Sequence, residues 1–160
     1  YFNIAGSSPS GKIGLINRNS DHLFKNFSME LMKKKPKLKI YGTDYKTKDG
    51  SCIRDFIHVS DIAQIHFLIL EKINKMNISK ILNCGYNKGC SVLEVAREFS
   101  RQSEKKIDII HTKRRNNDLT KIIASTNKLK KFIKWKPKFN NLEKIVKSCI
   151  DWEKRLNNLQ

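Results

Sequence analysis

No apolar run in this 160-residue sequence approaches the ~20 residues needed to cross a bilayer, so no membrane-spanning helix is expected. The opening Tyr1-Phe2-Asn3-Ile4-Ala5-Gly6 has no basic n-region and no signal-peptide layout. It has no initial methionine either and starts abruptly in apolar sequence, which sets up the expectation that part of a parent protein precedes it. The four cysteines, Cys52, Cys84, Cys90 and Cys149, form no C-x-x-C pair, and the Cys84 to Cys90 spacing does not suit a zinc knuckle. Each lies beside apolar residues, which predicts buried free thiols in a reducing, cytoplasmic setting. His22, His58, His66 and His111 have no metal-ligand grouping, so no metal site is expected and none of them is assigned to catalysis. Internal repeats, low-complexity blocks and interdomain linkers are absent, and 39% hydrophobic residues suffice for one domain with a core.

Acidic residues are scarce. Fifteen stand against 33 basic ones, a net charge of +18, which favours anionic partners: nucleic acid, phosphorylated ligands or acidic lipid. The basic residues are spread over the whole chain, and Lys, Asn and Ile are all abundant, as an A/T-rich coding sequence would also produce. No motif of basic residues interleaved with exposed aromatics is visible. Neither nucleic acid nor a membrane is therefore the expected partner.

Strands and helices alternate along the chain, which points to an α/β fold. Tyr1 to Ala5 reads as the end of a strand and Gly6 to Gly14 as a loop. A helix is predicted over about Asp21 to Lys34, with Leu23, Phe24, Phe27, Leu31 and Met32 on one side. Lys37 to Tyr41 alternates as a strand. Asp49-Gly50 is turn chemistry, and Ile53, Ile57 and Val59 give a short β-branched run. Asp61, three residues before Gln64, reads as a helix N-terminus, with the helix covering Ile62 to Ile73. Ile81 to Gly85 reads as a strand entering a glycine turn, and Ser91 with Glu94 as a capping box. A strand at Ile107 to His111, a short helix near Asn127 to Phe132 and a final helix near Leu142 to Leu156 follow.

Two motifs fall short. Gly6-x-x-x-x-Gly11-Lys12 lacks the Ser or Thr that a P-loop needs after its lysine, because Ile13 stands there. Gly85-x-x-x-Gly89 lacks the full G-x-G-x-x-G dinucleotide fingerprint and reads as a tight turn. Arg54 is more informative. An arginine inside an apolar strand costs desolvation unless something anionic meets it, so Arg54 is either an anion ligand or half of a structural ion pair with Asp55.

Several segments line up with one family. Tyr1-Phe2-Asn3-Ile4-Ala5-Gly6 comes first, then Gly42-x-Asp44-Tyr45-x-Thr47-x-Asp49-Gly50-x-x-x-Arg54-Asp55-Phe56-Ile57-His58-Val59-x-Asp61. Asn83-x-Gly85-x-x-x-Gly89-x-Ser91-Val92 and Arg114-Arg115-x-x-Asp118 follow in the right order. Over nearly its whole length the chain resembles the C-terminal half of the UDP-glucose 4-epimerases. These belong to the NAD-dependent epimerase/dehydratase family of the extended short-chain dehydrogenase/reductase superfamily.

The resemblance implies an α/β fold: the C-terminal, substrate-binding part of a Rossmann-type enzyme, without its N-terminal cofactor-binding half. Residues 1–160 would form a single nucleotide-sugar-binding region, with 1–15 and 53–75 packing on that other half, and Tyr1 to Ala5 and Ile53 to Leu70 exposed in its absence. It implies an isomerase that exchanges UDP-glucose and UDP-galactose at C4 through a 4-keto sugar, with NAD taking and returning the hydride. Tyr1 would lie by the nicotinamide end of NAD, and Asn3 by the diphosphate–sugar region. His22 and Leu23 would face the diphosphate and the uracil-side loop; the family often has Asn-Leu there, so His22 is a departure. Lys39 to Tyr41 would present backbone and a ring to uracil. Arg54 and Arg115 would bind the diphosphate, and Asp118 the ribose hydroxyls, as guanidinium forks suit phosphate and a carboxylate suits a diol.

Phe56 stands where many members have tyrosine. Ile122 falls where residue size limits the hexose pocket; isoleucine is intermediate, so UDP-glucose, UDP-galactose and their N-acetylated forms would be weakly discriminated. The family's base is a tyrosine with lysine four residues later. Tyr1, Tyr41, Tyr45 and Tyr86 all lack that lysine, so no catalytic residue is expected in this chain. A UDP-sugar is the expected ligand, with the other half of the enzyme or a homodimer partner as the expected protein contact. A UDP-N-acetylglucosamine 4-epimerase, another nucleotide-sugar epimerase, a non-catalytic UDP-sugar-binding module and a basic nucleic-acid-binding domain are the alternatives.

Overall fold

The alternation Lys37-Leu38-Lys39-Ile40-Tyr41 folds as a strand, β2, that buries Leu38 and Ile40 and turns Lys37, Lys39 and Tyr41 outward. The structure is a computed structural model; it describes residues 1–76 and 78–159, and Asn77 and Gln160 of the 1–160 region lie outside these. In chain order the elements are β1 (Asn3–Ala5), α1 (Leu23–Met32), β2 (Lys37–Tyr41), β3 (Ile53–Arg54), β4 (Phe56–His58) and α2 (Val59–Met76). Then come β5 (Cys90–Ser91), α3 (Val92–Gln102), β6 (Asp108–Thr112), β7 (Lys121–Ile122), α4 (Asn127–Phe132) and α5 (Leu142–Asn158). The expected α/β class is what forms.

The strands make three small sheets. β1 pairs with β4 in parallel, Ile4 opposite Ile57. β2 pairs with β6 in parallel, Lys39 opposite Ile110. β3 lies between β5, antiparallel, and β7, parallel, with Arg54 opposite Cys90 and Ile122. Under β2, helices α1, α3 and α5 close the larger core, where Phe24 and Phe27 meet Phe99 edge-on at 5.6 and 5.5 Å between ring centres. A smaller cluster, Ile57, Ile62, Ile65, Cys84, Leu129 and Ile133, joins β4, α2 and α4.

Several expectations need correction. The run Ile53 to Val59 is two strands in different sheets, broken at the fully buried Asp55. Asp55 does not pair with Arg54: its carboxylate accepts from the backbone N–H groups of Tyr86, Asn87 and Ala124 at 3.0, 2.9 and 3.2 Å. Asp61 does not cap a helix. α2 starts at Val59, and the Asp61 carboxylate, fully buried, accepts from Lys138 N, Phe139 N and the Tyr86 hydroxyl. Ile81 to Gly85 forms no strand; it meets the residue before β1 through Phe2 N to Cys84 O at 3.1 Å, too little for a ladder. The apolar stretches 1–5 and 53–70 are exposed only in part. Tyr1, Phe67 and Leu70 are open to solvent, whereas Ala5, Phe56, Ile57, Ile62 and Ile65 are buried.

The capping box at Ser91 forms as the sequence predicts. Ser91 Oγ accepts from Glu94 N, and Glu94 accepts from Ser91 N. The free thiols expected from the spacing are present as well: Cys52, Cys84 and Cys149 are buried and Cys90 half-buried. Burial pushes the thiols of Cys90 and Cys149 up to about 12, which keeps both protonated and inert near neutrality.

Candidate functional site

Strand alternation and helical spacing together build a cavity of about 700 Å³. Its floor is the outward face of β2, Lys37, Lys39 and Tyr41. Its wall is one side of α1 and the residues leading into it, with His22, Asn26 and Lys33 spaced four and seven residues apart in α-helical fashion. Arg54 reaches in from β3, Asn3 from β1, and Arg115 and Asp118 from the segment between β6 and β7.

The sequence-predicted residues Asn3, His22, Leu23, Lys39, Tyr41, Arg54, Arg115 and Asp118 therefore converge on one cavity from five separated segments. Ile122 and Tyr1 stay outside it. Ile122 lies beside Arg54 on β7, where its carbonyl accepts from Asp55 N at 3.1 Å. Tyr1 is 74% exposed, its ring 6.1 Å from that of His66.

Within the cavity the charges are arranged rather than merely gathered. Arg54 is largely buried and meets Asp118 in an ion pair, while its Nη1 donates to the Ile53 carbonyl at 2.8 Å. Arg115 lays its guanidinium 4.2 Å from the centre of the Tyr41 ring. The Asn3 side-chain amide donates to the Asp55 carbonyl at 3.2 Å, which holds this lining side chain in place. Five basic side chains (Lys33, Lys37, Lys39, Arg54 and Arg115) outnumber Asp21, Glu30 and Asp118 along the lining. Such a cleft attracts an anion, and its two arginines can fork onto phosphate oxygens while Asp118 accepts from hydroxyls. No cluster of three or more His, Cys, Asp or Glu able to hold a metal occurs among the described residues.

Sequence reasoning missed Asp21, Asn26, Lys33 and Lys37 as lining residues. The signal was available in the α1 stripe continuing from His22 and in the outward face of β2, but these residues read as solvated surface until a cavity is seen between them. It also gave no role to Tyr45, whose hydroxyl donates to Asp118 at 3.0 Å.

Residues 1–85 match the NAD dependent epimerase/dehydratase family. Over 156 residues the chain is 39% identical to a UDP-glucose 4-epimerase of Azospirillum brasilense, covering 98% of this chain and 45% of that relative. The crystal structure of the UDP-glucose-4-epimerase from Stenotrophomonas maltophila, with bound NAD and formylated UDP-arabinopyranose, superposes with a TM-score of 0.92 at 27% identity. That match covers 100% of this chain and 48% of the other. The UDP-Glc/GlcNAc 4-epimerase from Campylobacter jejuni superposes with a TM-score of 0.79 at 39% identity, over 97% of this chain and 47% of the other. The chain spans about half the length of the curated relatives it matches.

Proposed function

Since the chain belongs to the NAD dependent epimerase/dehydratase family, we propose that it carries the UDP-sugar-holding part of a UDP-glucose 4-epimerase, an isomerase that interconverts UDP-glucose and UDP-galactose. The observation that carries this reading is the convergence of Arg54, Arg115, Asp118, Lys39 and Tyr41, distant in sequence, on one basic cavity. Arg54 and Arg115 bind the diphosphate, Asp118 takes the ribose hydroxyls, and Lys39 to Tyr41 line the uracil. Both arginines already have partners, Asp118 and the Tyr41 ring, so binding exchanges those contacts for phosphate oxygens. Asn3, His22 and Leu23 complete the wall toward the diphosphate. A cytoplasmic location fits the four unpaired thiols.

NAD, when bound, supplies the hydride acceptor for C4 of the hexose. The residues of this chain do not fit a full cradle for it. Tyr1 is exposed, and the glycine turn at Gly85 and Gly89 lacks the dinucleotide fingerprint. We therefore assign the cofactor, the Tyr/Lys base pair and the hydride step to residues outside this sequence. What these residues do is hold the nucleoside diphosphate and so orient the sugar. The likeness to the UDP-Glc/GlcNAc enzyme of Campylobacter jejuni favours a site that admits both plain and N-acetylated hexoses.

Calorimetric titration of the chain with UDP, UDP-glucose and a DNA duplex tests the proposal. UDP is expected to bind, and Arg115→Ala and Asp118→Ala are each expected to weaken it by roughly tenfold or more, the loss of a charge-assisted contact. Salt-sensitive duplex binding that is indifferent to both substitutions would instead identify the basic charge as a nucleic-acid surface.

A further inference from the structure

Asp118 and Arg115 sit on one short segment between β6 and β7, and a side chain outside the cavity grips that segment at both ends. Tyr45, in the loop after β2, is buried and does not line the cavity. Its ring lies under Arg114, the guanidinium carbon 4.0 Å from the ring centre, and its hydroxyl donates to Asp118 Oδ2 at 3.0 Å. Between these two holds the segment turns back on itself. Asn117 takes the left-handed backbone conformation (φ 60), and Asp118 N bonds to the Arg115 carbonyl at 3.4 Å.

The loop around Tyr45 is built to keep the ring where it is. Gly42, at φ +83, passes so close that a Cβ there would stand 2.4 Å from Tyr45 Cε2 and 2.6 Å from Arg114 Cγ. Tyr45 N donates to Gly50 O at 3.0 Å, which ties the ring's backbone to the Asp49-Gly50 turn. Burial and the neighbouring Asp118 carboxylate both push the Tyr45 phenol above its ordinary range, so it stays protonated and remains a donor.

We propose that Tyr45 is a positioning residue for this site: it fixes Asp118 through its hydroxyl and Arg115 through the Arg114 stack, presetting both for a nucleoside diphosphate. Asp118 has two oxygens and two partners, Tyr45 on one and Arg54 on the other. Without the phenol, Oδ2 is free to join Oδ1 on the Arg54 guanidinium, which ties up the fork meant for phosphate and turns away the oxygen meant for hydroxyls. The proposal rests on the reading of the cavity as a UDP-sugar site.

A double-mutant cycle on the full chain, read as UDP affinity by calorimetry, tests it. Tyr45→Phe keeps the ring and the cation–π contact and is expected to weaken UDP roughly fivefold, the loss of one hydrogen bond to a charged group. In the Asp118→Ala background the same change is expected to have no further effect, because the two substitutions act through one contact. A purely structural role would weaken UDP equally in both backgrounds and would overturn the proposal. Should Tyr45→Phe fail to fold, Arg114→Met tests the other hold; it is expected to weaken UDP roughly threefold with an unchanged circular-dichroism spectrum, and full affinity would overturn the proposal. If Tyr45→Phe alone is silent, only this inference falls. If Asp118→Ala is silent as well, the reading of the cavity falls with it.

Discussion

The molecule's two apolar clusters are held by different physics. The larger one, beneath β2 and the cavity, is fixed by interlocked rings and branched aliphatics: Phe24, Phe27, Phe99, Leu38, Ile40 and Val95, nearly all without solvent contact. The smaller one, around α2, has few apolar members and is framed by two fully buried carboxylates, Asp55 and Asp61. Each carboxylate gathers N–H or O–H donors from distant segments, so that polar contacts set the path of 86–87, 124 and 138–139. α2 itself leaves Phe67 61% and Leu70 59% exposed. The cavity thus stands on the region packed by dispersion and area, while the other region depends on satisfied buried charge.

Removing a ring from the larger cluster has the largest effect. Phe99→Ala deletes a fully buried side chain that touches two other rings and is expected to cost about 4 kcal/mol in urea unfolding. A loss under ~1 kcal/mol would mean that this core is far more plastic than its packing implies.

Asp55→Ala comes next. It leaves three backbone N–H groups, that of Ala124 buried and those of Tyr86 and Asn87 part-buried, without their acceptor and is expected to cost about 3 kcal/mol, although it removes little apolar area. If that substitution proves neutral, water or a rearranged loop replaces the carboxylate, and the contrast between the regions disappears.

The smallest effect is one of pH. His58 is buried beside Ser148 and stacked on Phe139 at 4.3 Å between ring centres. Burial lowers its pKa below the ordinary 6.5, the Asp61 charge opposing only in part. The unfolded chain therefore takes up a proton near 6.5 that the folded chain refuses. Above 6.5 the histidine makes no difference; as pH falls from 6.5 toward the lower folded value, stability drops. His58→Gln is expected to flatten that part of the stability profile, measured by urea unfolding between pH 7.5 and about 5. An identical slope in both proteins would show that His58 titrates normally.

The same contrast explains what could be read from the sequence. Apolar periodicity and local capping are written in neighbouring residues, so β2, the Ser91–Glu94 box, α4 and the start of α5 fall where the sequence puts them. The cavity residues Arg54, Arg115 and Asp118 were reachable through the motifs that carry the family resemblance, and the structure brings them together. Asp55 and Asp61 were misread because their partners, backbone N–H groups and the Tyr86 hydroxyl, lie 25 or more positions away, invisible to any local pattern. A buried aspartate next to an arginine looks like an ion pair, and one near a helix start looks like a cap. Tyr45 escaped for the same reason, its partner Asp118 lying 73 positions on.

The central claim is that Arg54 and its companions hold the diphosphate of a UDP-sugar. Phosphorus NMR of UDP titrated with the chain reads that contact directly. The account predicts that both phosphorus resonances shift on addition of the wild-type chain and that Arg54→Gln largely abolishes the shift while the fold persists. Phosphorus signals that stay at their free positions with the wild-type chain, or that move equally with Arg54→Gln, would contradict it.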